Sequence, residues 1–255
     1  MRPKSSTDQY WNDRALTEPE LAKVNMPDTV QRDLELKFVF AHLWPTARIV
    51  EIGCGNGFVS QQLRTRVAYV DAFDYAENMV ERARVTYGET NNRFFQDNLL
   101  DPKHTRAPYD MGLCVRTLMN LRNLEEQKVA VQNLANMLRP GGRLILIEGF
   151  RDGFEALTSF RQAIGLAPVV PAAHNFHSYL AEIMPTIDEH FLVEQTWHTG
   201  LYDFLTRVVF PQVVGAENAT EPGDFHSKIE PIVRAYDDPA MVQFARVHGF
   251  LLERR

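Results

Sequence analysis

Three glycines at alternate positions, Gly53, Gly55 and Gly57 in "RIVEIGCGNGFVSQQL", follow a short apolar run and precede helical spacing. Glycine inside a strand or helix costs about 0.5–1 kcal/mol relative to alanine, so three within five residues belong where the backbone turns sharply or something lies against it. Between a strand and a helix, such a turn is a place where a ligand meets backbone N–H groups. In an open parallel sheet, ligands bind beyond the carboxyl ends of the strands, where the strand order reverses. The rest of the chain must therefore supply that sheet.

It does so by alternation. "YWNDRALTEPELAKV" (10–24) and "DTVQRDLELKFVFAHL" (28–43) read as two leading helices, the second capped by Asp28 and closed by Pro45. Strands follow at 48–52, 67–73, 93–96, 109–115 and 142–148, and helices at 57–66, 76–88 and 123–138. Short continuous apolar runs separated by helices of 10–15 residues indicate an α/β, doubly wound parallel sheet covered on both faces. Beyond residue 150 the pattern weakens: "DGFEALTSFRQAIG" reads as helix, "FLVEQTWHTG" as strand, 201–247 as a mostly helical insert and "HGFLLER" as a final strand. The chain reads as one domain over 1–255, with helices in 1–44, a ligand-binding core in 45–150, and substrate-side segments with the last two strands in 151–255.

Composition narrows the ligand. The 33 acidic residues against 27 basic ones, a net charge of −6, leave no basic face for nucleic acid. No apolar run approaches the roughly 18 residues of a membrane span, and the start, "MRPKSSTDQYWNDR", lacks the apolar core of a secretory signal, so a cytoplasmic location without membrane attachment is expected. Cys54 and Cys114 lie far from any C-x-x-C spacing, which argues against a disulfide or a zinc site. A small-molecule partner is expected, and the sequence is compatible with a homodimer.

Carboxylates at successive strand ends sharpen the choice. Glu51 next to the glycines suits a ligand with an ammonium group better than a pyrophosphate. Asp74 ends the second strand, where a bidentate hold on ribose hydroxyls fits. Asp97, in "FFQDN", stands where an adenine amino group could donate to it while the backbone of Asn98 meets a ring nitrogen. A nicotinamide-dependent oxidoreductase is an alternative, but its fingerprint needs a third glycine where this chain has Phe58.

"VEIGCGNG", "AFDYAENMVERAR", "FFQDNLLD", "YDMGLCVRTLMNL" and "NLANMLRPGGRLILIEG" together resemble the class I S-adenosylmethionine-dependent methyltransferases over about residues 45–150. The resemblance implies a Rossmann-like seven-stranded sheet, mostly parallel with its last strand antiparallel, and helical accessory segments. It also implies S-adenosyl-L-methionine as cofactor: Gly53, Cys54, Gly55 and Gly57 approach the methionine part with Glu51 nearby, Asp74 holds the ribose, and Asp97 and Asn98 hold the adenine. Tyr75, Met79 and Leu99 line the adenosine slot, and Arg116 stands at the exit of the fourth strand. The implied reaction carries a methyl group to an oxygen or nitrogen of a small, polar or anionic metabolite. A catalytically silent module that binds the cofactor for regulation or assembly is the other alternative.

Acceptor-side candidates come from strand ends and from the last third: Glu148, Arg151, Asn175, His177, Tyr202 and Arg207, with Arg151 and Arg207 favouring a carboxylate or phosphate on the acceptor. The strand-four exit, "CVRTLMNL", has no N-P-P-[YF] loop, and no Pro-Cys pair stands ready for cytosine, which turns the expectation away from nucleic-acid bases and protein glutamine. His174, in "HNFH", is the expected base, with His177 and then Tyr202 behind it, because histidine alone has an unperturbed pKa suited to taking a proton near neutrality. The two histidines lack a third ligand of known place, so no metal is expected.

Overall fold

The computed structural model describes residues 6–219, 222–236 and 239–255. Two helices open it, α1 (Ser6–Thr17) and α2 (Thr29–Ala41). The first starts earlier and stops sooner than its expected span. Pro19 disfavours helical backbone at the residue before it, and only one 3-10 turn, Leu21–Lys23, follows. The second begins at its expected cap, where the Asp28 carboxylate accepts the Gln31 N–H at 3.0 Å.

The seven strands are β1 (Arg48–Ile52), β2 (Tyr69–Asp74), β3 (Asn92–Gln96), β4 (Tyr109–Val115), β5 (Leu138–Gly149), β6 (Phe191–His198) and β7 (Val247–Arg254). They form one sheet in the order β3-β2-β1-β4-β5-β7-β6. β7 runs antiparallel to β5 and β6, and the remaining pairs are parallel, as the resemblance implies. The order turns between β1 and β4, the first strand having β2 on its other side.

Helices α3 (Ser60–Leu63), α4 (Glu77–Tyr87), α5 (Leu124–Met137), α6 (Arg151–Ala163) and α7 (Leu180–His190) accompany the sheet. The regular part of α3 is far shorter than the expected 57–66, because Gly57 holds φ +78° and the chain turns again after Leu63. α7 has no counterpart in the sequence reading; Pro185 inside it interrupts the helical pattern. The insert after β6 is a run of α8 (Gly200–Phe204), one π-helical turn (Leu205–Val209) and α9 (Phe210–Val214), followed by α10 (Asp224–Ala235). Residues 220–221 and 237–238 of the expected insert lie outside the described residues.

Period-two alternation along the strands fills two cores. On β5, Leu144 and Leu146 join Leu134 of α5 and Ile187 of α7, while Ile145 and Ile147 join Phe38 of α2 and Val80 of α4. Burying each such side chain contributes about 1.5–3 kcal/mol. Both faces of the sheet's central strands are thereby covered, and the carboxyl ends of β1, β2 and β4 are left to carry polar chemistry.

Candidate active site

Beyond those strand ends lies a cavity of about 370 Å³, lined by the ends of β1, β2 and β4, the turn after β3, α1, the start of α2 and residues 172–175. The glycine turn forms part of its floor. The Gly53 and Cys54 N–H groups both donate to the Phe73 carbonyl, at 2.9 and 3.0 Å, pinning the turn to the end of β2. Gly53 (φ +70°) and Gly55 (φ +53°) adopt left-handed backbone. A Cβ on Gly53 would lie 2.2 Å from Thr117 Oγ1, and one on Gly55 would lie 2.3 Å from Asn25 Oδ1. Gly57 serves a different purpose from the expected one: it does not line the cavity, and its missing Cβ makes room for Ala83 and the Phe94 ring.

Two carboxylates stand in this floor, and among the described residues neither is in an ion pair. Glu51 is 4% exposed and accepts a 2.5 Å hydrogen bond from Ser60 Oγ. Burial pushes its pKa up to about 8, the Ser60 bond opposes this and the Asp74 charge adds to it. The Asp74 carboxylate accepts the Gly55 and Ala76 N–H groups, both at 2.8 Å, and burial still raises its pKa above the ordinary value. Beside them Asn25 Oδ1 is buried without a hydrogen-bond partner. Tyr75, Met79, Leu99 and Cys54 line the same cavity, as the sequence leads one to expect.

The adenine contacts expected of Asp97 and Asn98 run into their own loop. Asp97 accepts N–H groups from Asn98, Lys103 and His104 at 2.8–3.1 Å, so the Asn98 N–H is itself engaged. Both residues line the cavity, but these groups brace the turn after β3. Arg116 also has a partner. It carries φ +51°, rare for a residue with a side chain. Its guanidinium clasps Glu35 of α2 through Nε and Nη2, at 3.0 and 2.7 Å. Glu35 in turn accepts from Gln31, which accepts from Arg246, itself paired with the buried Asp203.

Of the acceptor-side candidates, the structure brings His174 and Asn175 to the cavity and takes five others elsewhere. His174 stacks on Tyr10 of α1, ring centroids 4.0 Å apart, and meets Trp11 edge-on at 5.8 Å. Burial lowers its pKa, which favours the neutral imidazole. Asn175 Oδ1 is buried and has no hydrogen-bond partner. Glu148, 1% exposed, does not reach the cavity; it caps the 3-10 turn Leu118–Asn120 by accepting the N–H groups of Thr117, Leu118 and Met119 at 2.6, 2.6 and 3.2 Å. Burial raises its pKa to about 7 against the pull of those bonds. His177 sits behind the cavity wall with Nδ1 on the Gly149 carbonyl and its ring against Phe154. Arg151 is on the surface, paired with Glu155, and Tyr202 is fully buried with its hydroxyl donating to the Asp28 carboxylate. Arg207 lies within the insert, near Arg246, Asp203 and Asp28, and not on the cavity. The cations from which an anionic acceptor was expected are therefore absent from the cavity wall.

Sequence reasoning missed Tyr10, Trp11, Asn25, Glu35 and Asn120, which line the cavity. Trp11 Nε1 donates to Asn120 Oδ1 at 2.8 Å, bridging 109 positions of sequence. One signal was available: Gln31 and Glu35 fall at i and i+4 on the face of α2 that also carries the buried Leu34 and Phe38. Nothing local marks Asn25.

Comparison with known proteins agrees with this geometry. Residues 49–142 match the family described as methyltransferase domain. An uncharacterized methyltransferase of Mycobacterium bovis is 26% identical over 126 residues, which are 48% of this chain and 62% of that protein. A ubiquinone biosynthesis O-methyltransferase of Vibrio cholerae is 23% identical over 161 residues, 61% of this chain and 64% of its own length. The chain thus spans less than two thirds of these relatives. Among solved structures, magnesium protoporphyrin IX methyltransferase from Synechocystis with bound S-adenosylhomocysteine matches 98% of this chain and 95% of its own at TM-score 0.60 and 19% identity. The N-methyltransferase NodS of Bradyrhizobium japonicum, also with S-adenosylhomocysteine, matches 98% and 99% at TM-score 0.59 and 13% identity. At such identities the structural likeness speaks to the fold, and the domain match speaks to the family. Residues 49–142 match a methyltransferase domain, and the sheet that contains them has the fold of methyltransferases solved with S-adenosylhomocysteine.

Proposed function

We propose that this chain is an S-adenosylmethionine-dependent methyltransferase acting on an oxygen or nitrogen of a small molecule. The observation that carries the reading is the floor of the cavity: Glu51 and Asp74 without cationic partners, beside the orphaned Asn25 Oδ1. A ligand bearing an ammonium group and vicinal hydroxyls satisfies all three, since buried acceptors left unpaired are costly. The floor residues fit the cofactor as follows: Gly53 and Gly55 admit its amino-acid end beside Glu51 and Asn25, Asp74 takes the ribose hydroxyls, and Tyr75, Met79 and Leu99 flank the adenosine. A nicotinamide dinucleotide fits less well, because Glu51 would face its pyrophosphate and Gly57 is occupied with packing.

When bound, the cofactor supplies a methyl carbon on a positively charged sulfur that leaves as an uncharged thioether. The chain's own task is positioning, which is worth about 7–11 kcal/mol where reacting groups are held in line. His174, neutral and cavity-facing, takes the proton from the acceptor's O–H or N–H. Tyr10 and Trp11 hold the imidazole in place and keep water from that side. Asp74→Ala is the test. Loss of a charge-assisted bidentate hydrogen bond should weaken S-adenosylmethionine binding by about 1.5–3 kcal/mol, or roughly 10- to 150-fold. Unchanged affinity by calorimetry in a folded variant would remove the assignment, and binding without methyl transfer to any extract component would favour the silent module.

A further inference from the structure

The charges on the cavity wall say what kind of acceptor it admits. Three cationic side chains line it among the described residues, and each already holds an oxygen. Arg116 is clasped to Glu35, and Arg122 binds Glu126 through Nε at 2.8 Å and Nη2 at 2.5 Å. Arg32 places Nε and Nη2 on Asp33 and Nη1 on the Ala22 carbonyl. Among the described residues no lysine lines the cavity. At the buried pair, where Glu35 is 2% exposed, a carboxylate or phosphate that took the Arg116 guanidinium would leave that acid unpaired, which is strongly unfavourable; the Arg32 and Arg122 pairs are partly exposed and weaker.

Part of the remaining wall is aromatic and apolar. Tyr10 and Trp11 stand edge to face at 5.0 Å, His174 completes the group, and Met119, Leu121 and Ala172 lie near it on the lining. Ring faces of this kind favour an offset or edge-on aromatic guest. Next to His174, Asn175 Oδ1 is the buried acceptor still wanting a donor.

We propose that the methyl acceptor is an uncharged, largely apolar molecule whose flat ring lies against Tyr10, Trp11 and His174, with the hydroxyl or amino group to be methylated facing His174 and a second N–H or O–H donor on Asn175. This rests on the methyltransferase reading and specifies the substrate of the same site. It replaces the anionic acceptor expected from Arg151 and Arg207, which do not line the cavity.

The test incubates the whole chain with methyl-labelled S-adenosylmethionine and a metabolite extract of the encoding organism, split by ion exchange into uncharged, anionic and cationic pools. Label is expected in the uncharged pool, on ring-bearing compounds. In Asn175→Ala that incorporation should fall about tenfold, with Asn175→Asp recovering part of it and S-adenosylhomocysteine affinity within about twofold of the parent by calorimetry. Label confined to the anionic or cationic pool would overturn the inference and leave the methyltransferase reading standing, as would undiminished labelling in Asn175→Ala. No label in any pool, with S-adenosylhomocysteine still bound, would overturn the enzymatic reading and this inference with it.

Discussion

The two sides of the cavity are built on different principles. The glycine turn and its two carboxylates come from one short stretch: β1, the turn and the end of β2 lie within residues 48–74, tied by main-chain bonds between adjacent parallel strands and by the Asp74 carboxylate on the Gly55 N–H. The opposite side is assembled from afar. Trp11 meets Asn120, Thr7 Oγ1 donates to the His174 carbonyl across 167 positions, and Arg246 reaches Gln31 across 215. A ligand shared by many enzymes can be held by a local motif, whereas a particular acceptor needs a surface that tertiary packing shapes.

The largest expected effect lies on the assembled side. His174→Gln should lower turnover by about 10²–10⁴-fold, with S-adenosylmethionine affinity within about threefold, a change under about 0.7 kcal/mol. Equal losses in both quantities would mean that His174 belongs to the floor after all, and the contrast between the two sides would fail.

Glu35→Ala probes how the assembled side is held. It leaves the Arg116 guanidinium without its carboxylate in a site where Glu35 itself is 2% exposed, so stability should fall by about 3–5 kcal/mol. Urea unfolding followed by fluorescence measures this; a loss below about 1 kcal/mol would show the pair to be solvated and its reach across α2, β4 and the insert unimportant.

Glu51 offers a smaller effect on the floor. Its pKa is about 8 in the folded chain and 4.5 for the ordinary side chain, so folding takes up a proton between those values. Its contribution to stability is fully present below pH 4.5 and is lost as pH rises towards 8. Glu51→Gln, which has no proton to lose there, should gain a few degrees in melting temperature over the parent between pH 6 and 8. Parallel melting curves across that range would indicate that Glu51 ionises normally.

The smallest effect tests a residue that the structure moved out of the site. Arg151→Ala removes an exposed i,i+4 pair with Glu155, and stability should stay within about 0.5 kcal/mol. Methyl transfer should also be unchanged within about twofold; a tenfold loss would return Arg151 to the acceptor side.

By itself, the sequence determined the strands of the sheet and most of the floor. Strand alternation, the glycine turn and the acids at strand ends are local features, and local features follow from φ/ψ preference, period-two burial and neighbouring hydrogen bonds. Even there its reading of Gly57 and Glu148 changed in three dimensions, and Asp97 took on a second task. Gly57 gives space to α4 and β3, Asp97 braces its own turn, and Glu148 caps the turn after β4. A carboxylate at a strand end can face a ligand or the nearest free N–H groups, and only the path of the following loop decides which. The same holds more strongly for Tyr10, Asn25, Glu35 and His174. Their chemistry is unremarkable in isolation, and the packing of α1, α2 and residues 172–175 over one strand crossing made them neighbours. Tertiary structure also decided that Arg151 and Arg207 face elsewhere, because a guanidinium settles on the carboxylates that the fold brings within reach, and sequence spacing does not report those.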